Sequence, residues 1–292
     1  MLPITEKMMK AIFIISGLAI ILFLAGILYI LLANSVPALL ELGIGPFFSP
    51  GKWNPAAFGE ATYSLINLIY GTFMVTVGAL LFAVPIGVAA AAYLAEIAAP
   101  WERELFKPVV EVLAGIPSVV LGFFGLVVLA PLIARLFNLN SGLNALNGAL
   151  LVGIMALPTV ITLAEDAITA VPKEYRHASL ALGGTRWQTI WKVTIPAAFS
   201  GITASALLGM GRAIGETMTV LMVTGNMIAR PTSILDSVRT LSANIAIDIG
   251  NVAFNSTHFH ALFVVGLVLF MITFIVNFLA DILIHRKPEV NK

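Results

Sequence analysis

Six stretches of this chain are long and apolar enough to cross a membrane. They cover about residues 11–33, 69–97, 108–134, 147–169, 198–225 and 261–284. Each reaches the roughly 20 residues that an α-helix needs to traverse about 30 Å of hydrocarbon. In lipid every backbone N–H and C=O must find its partner within the protein, so only helices and closed barrels span. A barrel would read as short segments of alternating polarity, and the sequence has no such pattern. The expected fold is therefore all-α, a polytopic membrane protein with six transmembrane helices. Composition agrees, since 59% of the 292 residues are hydrophobic and 11% are charged, far from the balance of a soluble domain. A net charge of +1 offers no footprint for nucleic acid. The chain has no cysteine, which excludes disulfides and thiolate chemistry.

The basic residues set an orientation. Lys7, Lys10, Arg103, Lys107, Lys173, Arg176, Arg186, Lys192, Arg286, Lys287 and Lys292 fall on one side of the six runs, and only Lys52, Arg135, Arg230 and Arg239 on the other. The positive-inside rule then places both termini in the cytoplasm. Lys7 and Lys10 before the first run, with Ala33-Asn34-Ser35 after it, give a faint outline of a signal peptide. The run is too long for an h-region, and an uncleaved first helix is expected.

Between the runs, Asn34 to Tyr63 is rich in Pro and Gly and reads as ordered turns. Pro85 predicts a kink in the second helix, and Pro117, with Gly122 and Gly125, a bend or close packing in the third. Glu96 and Glu111 flank a short cytoplasmic turn with Arg103 and Lys107 and read as solvated or surface-paired. Glu165-Asp166 closes the fourth helix at the cytoplasmic edge. The segment from Asn226 to His260 reads as a solvated loop that a partner touches. His258 and His260 lie in it without further ligands at metal-binding spacing.

The fifth run carries the one charged pair buried in apolar sequence, Arg212 and Glu216. A charge at the centre of a spanning helix costs on the order of 2.5–3.5 kcal/mol on insertion scales. On a continuous helix from about 202 to 223 the two would share a face with Ser205, Gly209, Thr219 and Val223, a polar stripe turned to the bundle interior or a water-filled path. Either the pair holds the bundle in register or it lines a route for something charged. Arg before Glu is the less favourable helical order, so it adds little as helix support alone.

The cytoplasmic segment from Val171 to Pro196 predicts two short helices joined by a turn. Pro172 suits a helix start, Gly183-Gly184 a left-handed stop, and Thr185 with Gln188 a capping box. Trp187 and Trp191 share a face of the second short helix, at the level where tryptophans meet headgroups. The first short helix is small and mixed in character, fit to enter a groove on another protein or to lie along the membrane.

That segment resembles the EAA loop of ABC transporter permeases, Glu-Ala-Ala, three residues, Gly, nine residues, then Ile-x-Leu-Pro. Here it runs His177-Ala178-Ser179, three residues, Gly183, nine residues, then Val193-Thr194-Ile195-Pro196. His177 replaces the family's glutamate and Ser179 its second alanine, and Glu174 lies one turn earlier. The stretches Ala83-Val-Pro-Ile-Gly87, Tyr93-Leu-Ala-Glu96, Leu113-Ala-Gly-Ile-Pro-Ser118, Ala181-Leu-Gly-Gly-Thr-Arg-Trp187 and Gly211-Arg-Ala-Ile-Gly-Glu-Thr-Met218 narrow the resemblance to phosphate permeases, the PstC type best, over roughly residues 60–284.

The resemblance implies a type I ABC importer permease for inorganic phosphate. Residues 1–60 would supply an N-terminal helix and extracytoplasmic segment, 61–284 the permease domain with coupling loop 171–196, and 285–292 a cytoplasmic tail. Arg212, Glu216, Ser205 and Thr219 would border the substrate pathway. Glu174, His177, Ala178, Ser179 and Gly183 would couple to the ATPase. The implied partners are a homologous PstA-like permease, two PstB-like ATPase subunits, a PstS-like phosphate-binding protein and the lipid bilayer. The chain has no Gly-x4-Gly-Lys-Ser/Thr P-loop, so it lacks a nucleotide site of that type; the resemblance implies a subunit that uses no cofactor and is not itself an enzyme. Sulfate or molybdate as cargo, and ion-coupled carriage through Glu216, remain the alternatives to an ATP-driven phosphate importer.

Overall fold

The computed structural model describes residues 4–56 and 60–285. Arg286, Lys287 and Lys292, and with them the expected tail, lie outside the described residues, as do Ala57, Phe58 and Gly59. The chain begins with α1 (Ile4–Leu42), a short α2 (Gly45–Phe48) and a hairpin of β1 (Trp53–Asn54) and β2 (Thr62–Tyr63), with Trp53 opposite Tyr63. α3 (Ile66–Ala92) runs on into a π-helical turn, Tyr93–Ile97. After α4 (Pro100–Gly115) come α5 (Ser118–Phe124), a second π turn (Gly125–Leu129) and α6 (Ala130–Leu136), one continuous span in three pieces. α7 (Ala145–Thr169) leads to α8 (Lys173–Ala181), α9 (Arg186–Thr189), a third π turn (Ile190–Thr194) and α10 (Ile195–Ala197). α11 (Phe199–Gly215), α12 (Met218–Val223), α13 (Leu241–Asp248) and α14 (Thr257–His285) complete the chain.

Among the described residues, five helical stretches are long and apolar enough to span by themselves. A sixth span arises if the segments 186–197 and 199–215, bent by 69°, are taken together. α3 and α7 pack along their length as the central pair; α11 lies against α7 and α14, and α14 against α1. The core is layered along the bundle. At one end Phe47, Trp53, Leu68, Leu241 and Val265 gather α1, the hairpin and α14. In the middle, Val75, Val152, Ala213 and Val220 join α3, α7, α11 and α12. At the end that carries α8 and α9, Ala91, Ile168, Ala198 and Ile202 close the bundle.

Four expectations are corrected. The turns expected from Asn34 begin only after Leu42, because α1 carries Pro37 within it and packs Ser35 and Ala38 out of solvent. The third run does not cross as one helix over 108–134. Residues 100–115 form an amphipathic helix with no buried residue, which starts with Glu102 accepting the Ala99 N–H at 2.7 Å. The chain breaks at Ile116-Pro117 and the span starts afresh at Ser118, since Pro lacks the N–H that would carry the helix through. The fifth run is broken too, at Glu216-Thr217. The two histidines belong to the first turn of α14 and serve as ties: His258 Nε2 lies 3.3 Å from Asp248 Oδ2, and His260 bridges Asn34 O at 2.8 Å and Asn255 Oδ1 at 3.0 Å.

Candidate functional site

The break in the fifth run is the centre of the site. Glu216 has extended backbone (φ −67°, ψ 127°) between α11 and α12, so helix hydrogen bonds stop there and other groups replace them. The Thr219 N–H donates to Glu216 Oε1 at 3.1 Å, and the Ser242 hydroxyl donates to Glu216 O at 2.8 Å. The Thr219 hydroxyl donates to Ser118 O at 3.0 Å, which joins this break to the one before α5. Thus α5, α12 and α13 meet at one point, and the polar groups a broken helix leaves behind are satisfied by its neighbours.

Arg212 sits in the last turn of α11, about 20 Å along the helix from Phe199 at 1.5 Å per residue. Its side chain is exposed on this chain, with no hydrogen bond or ion pair among the described residues. Glu216 is half-buried. The predicted stripe does not exist as one surface, because the break at Glu216 ends the periodicity that would align it. Ser205 is fully buried and its hydroxyl donates to Ile202 O at 2.7 Å. Gly209 faces Val160 of α7, and Thr219 is buried against Met155 and Ser118. The structure therefore brings Arg212 and Glu216 to the break and leaves Ser205 and Thr219 within the helix packing.

The segment from Val171 to Pro196 folds as its residues dictate. Pro172 caps α8 one position before the helix proper. Gly183 takes φ +84°, with the Gly184 N–H on Ser179 O at 3.1 Å and the Gly183 N–H on Leu180 O at 3.0 Å, a Schellman stop that glycine alone adopts without strain. Thr185 and Gln188 close the capping box from both sides at 2.9 and 3.2 Å. The Ser179 and Thr189 hydroxyls meet at 2.9 Å and tie α8 to α9. Glu174, His177, Ala178 and Leu182 stand exposed, Leu182 at 90%. Trp187 and Trp191 pack edge to face at 5.8 Å.

Sequence spacing could not reveal two ion pairs at this end of the bundle, one of which anchors the segment. Arg176 pairs with Glu96 at 2.6 Å and donates to Val171 O at 2.6 Å and Ile168 O at 2.9 Å. Glu96 is thus half-buried and clamped, not solvated. Lys107 of α4 reaches Glu165 of α7 at 3.0 Å. At the far end of the bundle, Asp248 accepts from Trp53 Nε1 at 2.7 Å and faces Arg239 at 3.9 Å. Burial lowers the Arg239 pKa, and Asp248 partly opposes the shift.

The chain resembles known proteins in sequence and in fold. Residues 83–287 match the family described as binding-protein-dependent transport system inner membrane component. The Bacillus subtilis protein named "Probable ABC transporter permease protein YqgH" is 38% identical over 278 residues, 94% of this chain and 87% of that one. The "Phosphate transport system permease protein PstC" of Xylella fastidiosa is 33% identical over 266 residues, 85% of this chain and 81% of that one. A crystal structure of a bacterial alginate ABC transporter in complex with a pentasaccharide-bound periplasmic protein superposes with a TM-score of 0.65 at 14% identity, over 99% of this chain and 97% of its own. All-α architecture, apolar spans and these likenesses agree on the type I ABC importer permease fold. The chain belongs to the family of binding-protein-dependent transport system inner membrane components, multi-pass permeases of the inner membrane.

Proposed function

We propose that this chain is the PstC-type permease subunit of an ATP-driven importer of inorganic phosphate, forming half of the translocation pathway. The observation that carries the reading is Arg212, exposed and without a hydrogen-bond or ion-pair partner among the described residues, at a helix break inside an apolar span. A bare guanidinium facing lipid is costly, so its surface belongs against a partner subunit or a wet path. Its planar fork of donors suits phosphate oxygens. Glu216 beside it accepts a hydrogen bond from a protonated phosphate oxygen and keeps the anion from being held too tightly to leave. PstC-named relatives at 33% identity support phosphate as the cargo.

The partners in this reading are a PstA-like permease, two PstB-like ATPases and a PstS-like binding protein, with both termini of this chain in the cytoplasm. The subunit catalyses no reaction; a partner hydrolyses ATP. Glu174, His177 and Ala178 on α8, with Leu182 just after it, meet the ATPase, and Gly183 and Ser179 fix the shape they present. Movement of α8 reaches the bundle through Arg176, which grips Glu96 after α3 and the carbonyls at the end of α7. Packed elements transmit such displacements as units.

The test is uptake of radiolabelled phosphate by proteoliposomes holding the complete complex and its binding protein, with ATP inside. ATP-dependent uptake resistant to excess sulfate and molybdate supports the reading. Competition by either oxyanion moves the cargo to that ion, and uptake that follows a proton gradient without ATP replaces the importer with an ion-coupled carrier.

A further inference from the structure

Beside the coupling loop two cavities lie side by side and make a cleft with two chemistries. The outer one, about 330 Å³, is lined by Glu96, Arg176, Arg186 and Thr189. The inner one, about 580 Å³, runs between α3 and α11 past Val88, Ala89, Ala92, Phe199 and Ile202, with no charged side chain in its lining. Ile97, Trp187 and Ile190 line both, so the polar mouth adjoins the apolar groove.

Charge and backbone both mark this cleft. In the mouth Arg176 is balanced by Glu96 at 2.6 Å. Arg186 has no ion-pair or hydrogen-bond partner for its side chain among the described residues, so one positive charge stands uncompensated. Both walls depart from α-helical winding at the cleft, at the π turns Tyr93–Ile97 and Ile190–Thr194; such turns concentrate at functional sites. Trp187 and Trp191, 61% and 53% exposed, stand at the rim, as tryptophans do at the boundary between headgroups and acyl chains.

We infer that this cleft is a binding site for an anionic phospholipid from the leaflet on the coupling-loop side. The phosphodiester meets Arg186 and one acyl chain lies in the groove between α3 and α11. Only a ligand that joins an anion to a long apolar chain fills both parts. A free phosphate would leave the groove empty, and an uncharged alkyl chain would leave Arg186 bare. The lipid would touch the π turn that carries Glu96, and so bear on the clamp that couples α8 to the bundle. This site does not depend on which cargo the permease carries.

The chain has no cysteine, so Ala89→Cys places one label in the groove. The complete complex, its partner subunits freed of cysteine, is labelled with a benzophenone maleimide, reconstituted in phosphatidylcholine vesicles containing phosphatidylglycerol, and irradiated. The adducts are then identified by mass spectrometry. The expected result is a phosphatidylglycerol adduct enriched severalfold over that lipid's share of the vesicle. In Ala89→Cys combined with Arg186→Gln the enrichment falls to the bulk share. Cross-linking mainly to a helix of a neighbouring subunit would overturn the inference, as would enrichment unchanged by Arg186→Gln or absent from the parent.

Discussion

Arg176 at the coupling loop and Arg212 at the end of α11 carry the same side chain and differ in every bond they make. Arg176 is four-fifths buried and spends its donors on Glu96 and on carbonyls of α7 and the turn beyond. Ile168 O, in the last turn of α7, also accepts the Val171 N–H at 3.3 Å, so Arg176 adds a second donor to a helix end already closed by its own backbone. Arg212 is exposed and unpaired among the described residues, although its neighbourhood in sequence is far more apolar. Charge in a membrane protein is tolerated under two conditions, that it be satisfied internally or that it face something polar that the single chain does not contain. Arg176 meets the first and is architecture. Arg212 meets only the second, which is the reason to assign it a task in the assembled complex.

The largest effect on stability is therefore expected where the donors are spent. Arg176→Gln strands the half-buried Glu96 carboxylate, and removing one partner of such a pair costs about 3 kcal/mol. The thermal midpoint of the purified complex should fall clearly, while whatever complex survives keeps its apparent affinity for phosphate. An unchanged midpoint would erase the contrast between the two arginines. Next comes Gly183→Ala, which forces a side chain into φ +84° at roughly 1–2 kcal/mol. It should loosen the end of α8 and weaken stimulation of ATP hydrolysis by the binding protein, with assembly kept. Equal stimulation in both would detach the Schellman turn from coupling.

Ser242→Ala should be milder. It removes the bond to Glu216 O, a loss of about 1 kcal/mol, and should raise hydrogen exchange at the amides flanking the break without affecting those of α8. Exchange that rises equally at both ends would mean that the break is not separately held.

The smallest effect is a pH dependence at the far loop. The Thr232 N–H and hydroxyl and the Ser233 N–H all donate to Asp236, at 2.7, 2.8 and 2.9 Å, and hold its carboxyl below the usual range, slightly opposed by desolvation. A depressed folded pKa adds stability that is present above the unfolded value and lost as pH falls through the folded one. Protection of the Thr232 and Ser233 amides should thus fall only in acid below the ordinary carboxylate range, and Asp236→Asn should abolish that dependence. Protection that changes near neutrality would assign it to another group.

How far the sequence foretold this molecule depended on the range of the interaction. Gly183, Thr185 and Gln188 act within a few residues, and the turn they make was legible to the residue. Hydropathy, which needs no partner, marked the spans, five of them found whole among the described residues and a sixth only as a bent pair. The breaks did not follow. Met218 to Val223 continues the apolar pattern of α11 without a gap, and the bonds that make the break tolerable come from Ser242 and Ser118, far off in the chain. Pro117 gave a local signal for the other break, but the apolar residues from Val109 to Leu113 masked the amphipathic face of α4. The Arg176 clamp joins residues 80 apart, beyond any spacing rule. Arg212 and Glu216 stand out in the sequence as charges in an apolar run, yet a shared helical face needs a helix that continues past Gly215, where α11 ends.

The most direct measurement is phosphate uptake and assembly determined together for Arg212→Gln in the reconstituted complex. A charge-assisted hydrogen bond contributes about 1.5–3 kcal/mol, so ATP-dependent uptake should fall by roughly ten- to a hundredfold, with subunit stoichiometry and thermal midpoint as in the parent. Uptake near the parental rate would remove Arg212 from the pathway, and a complex that no longer assembles would make it a second Arg176.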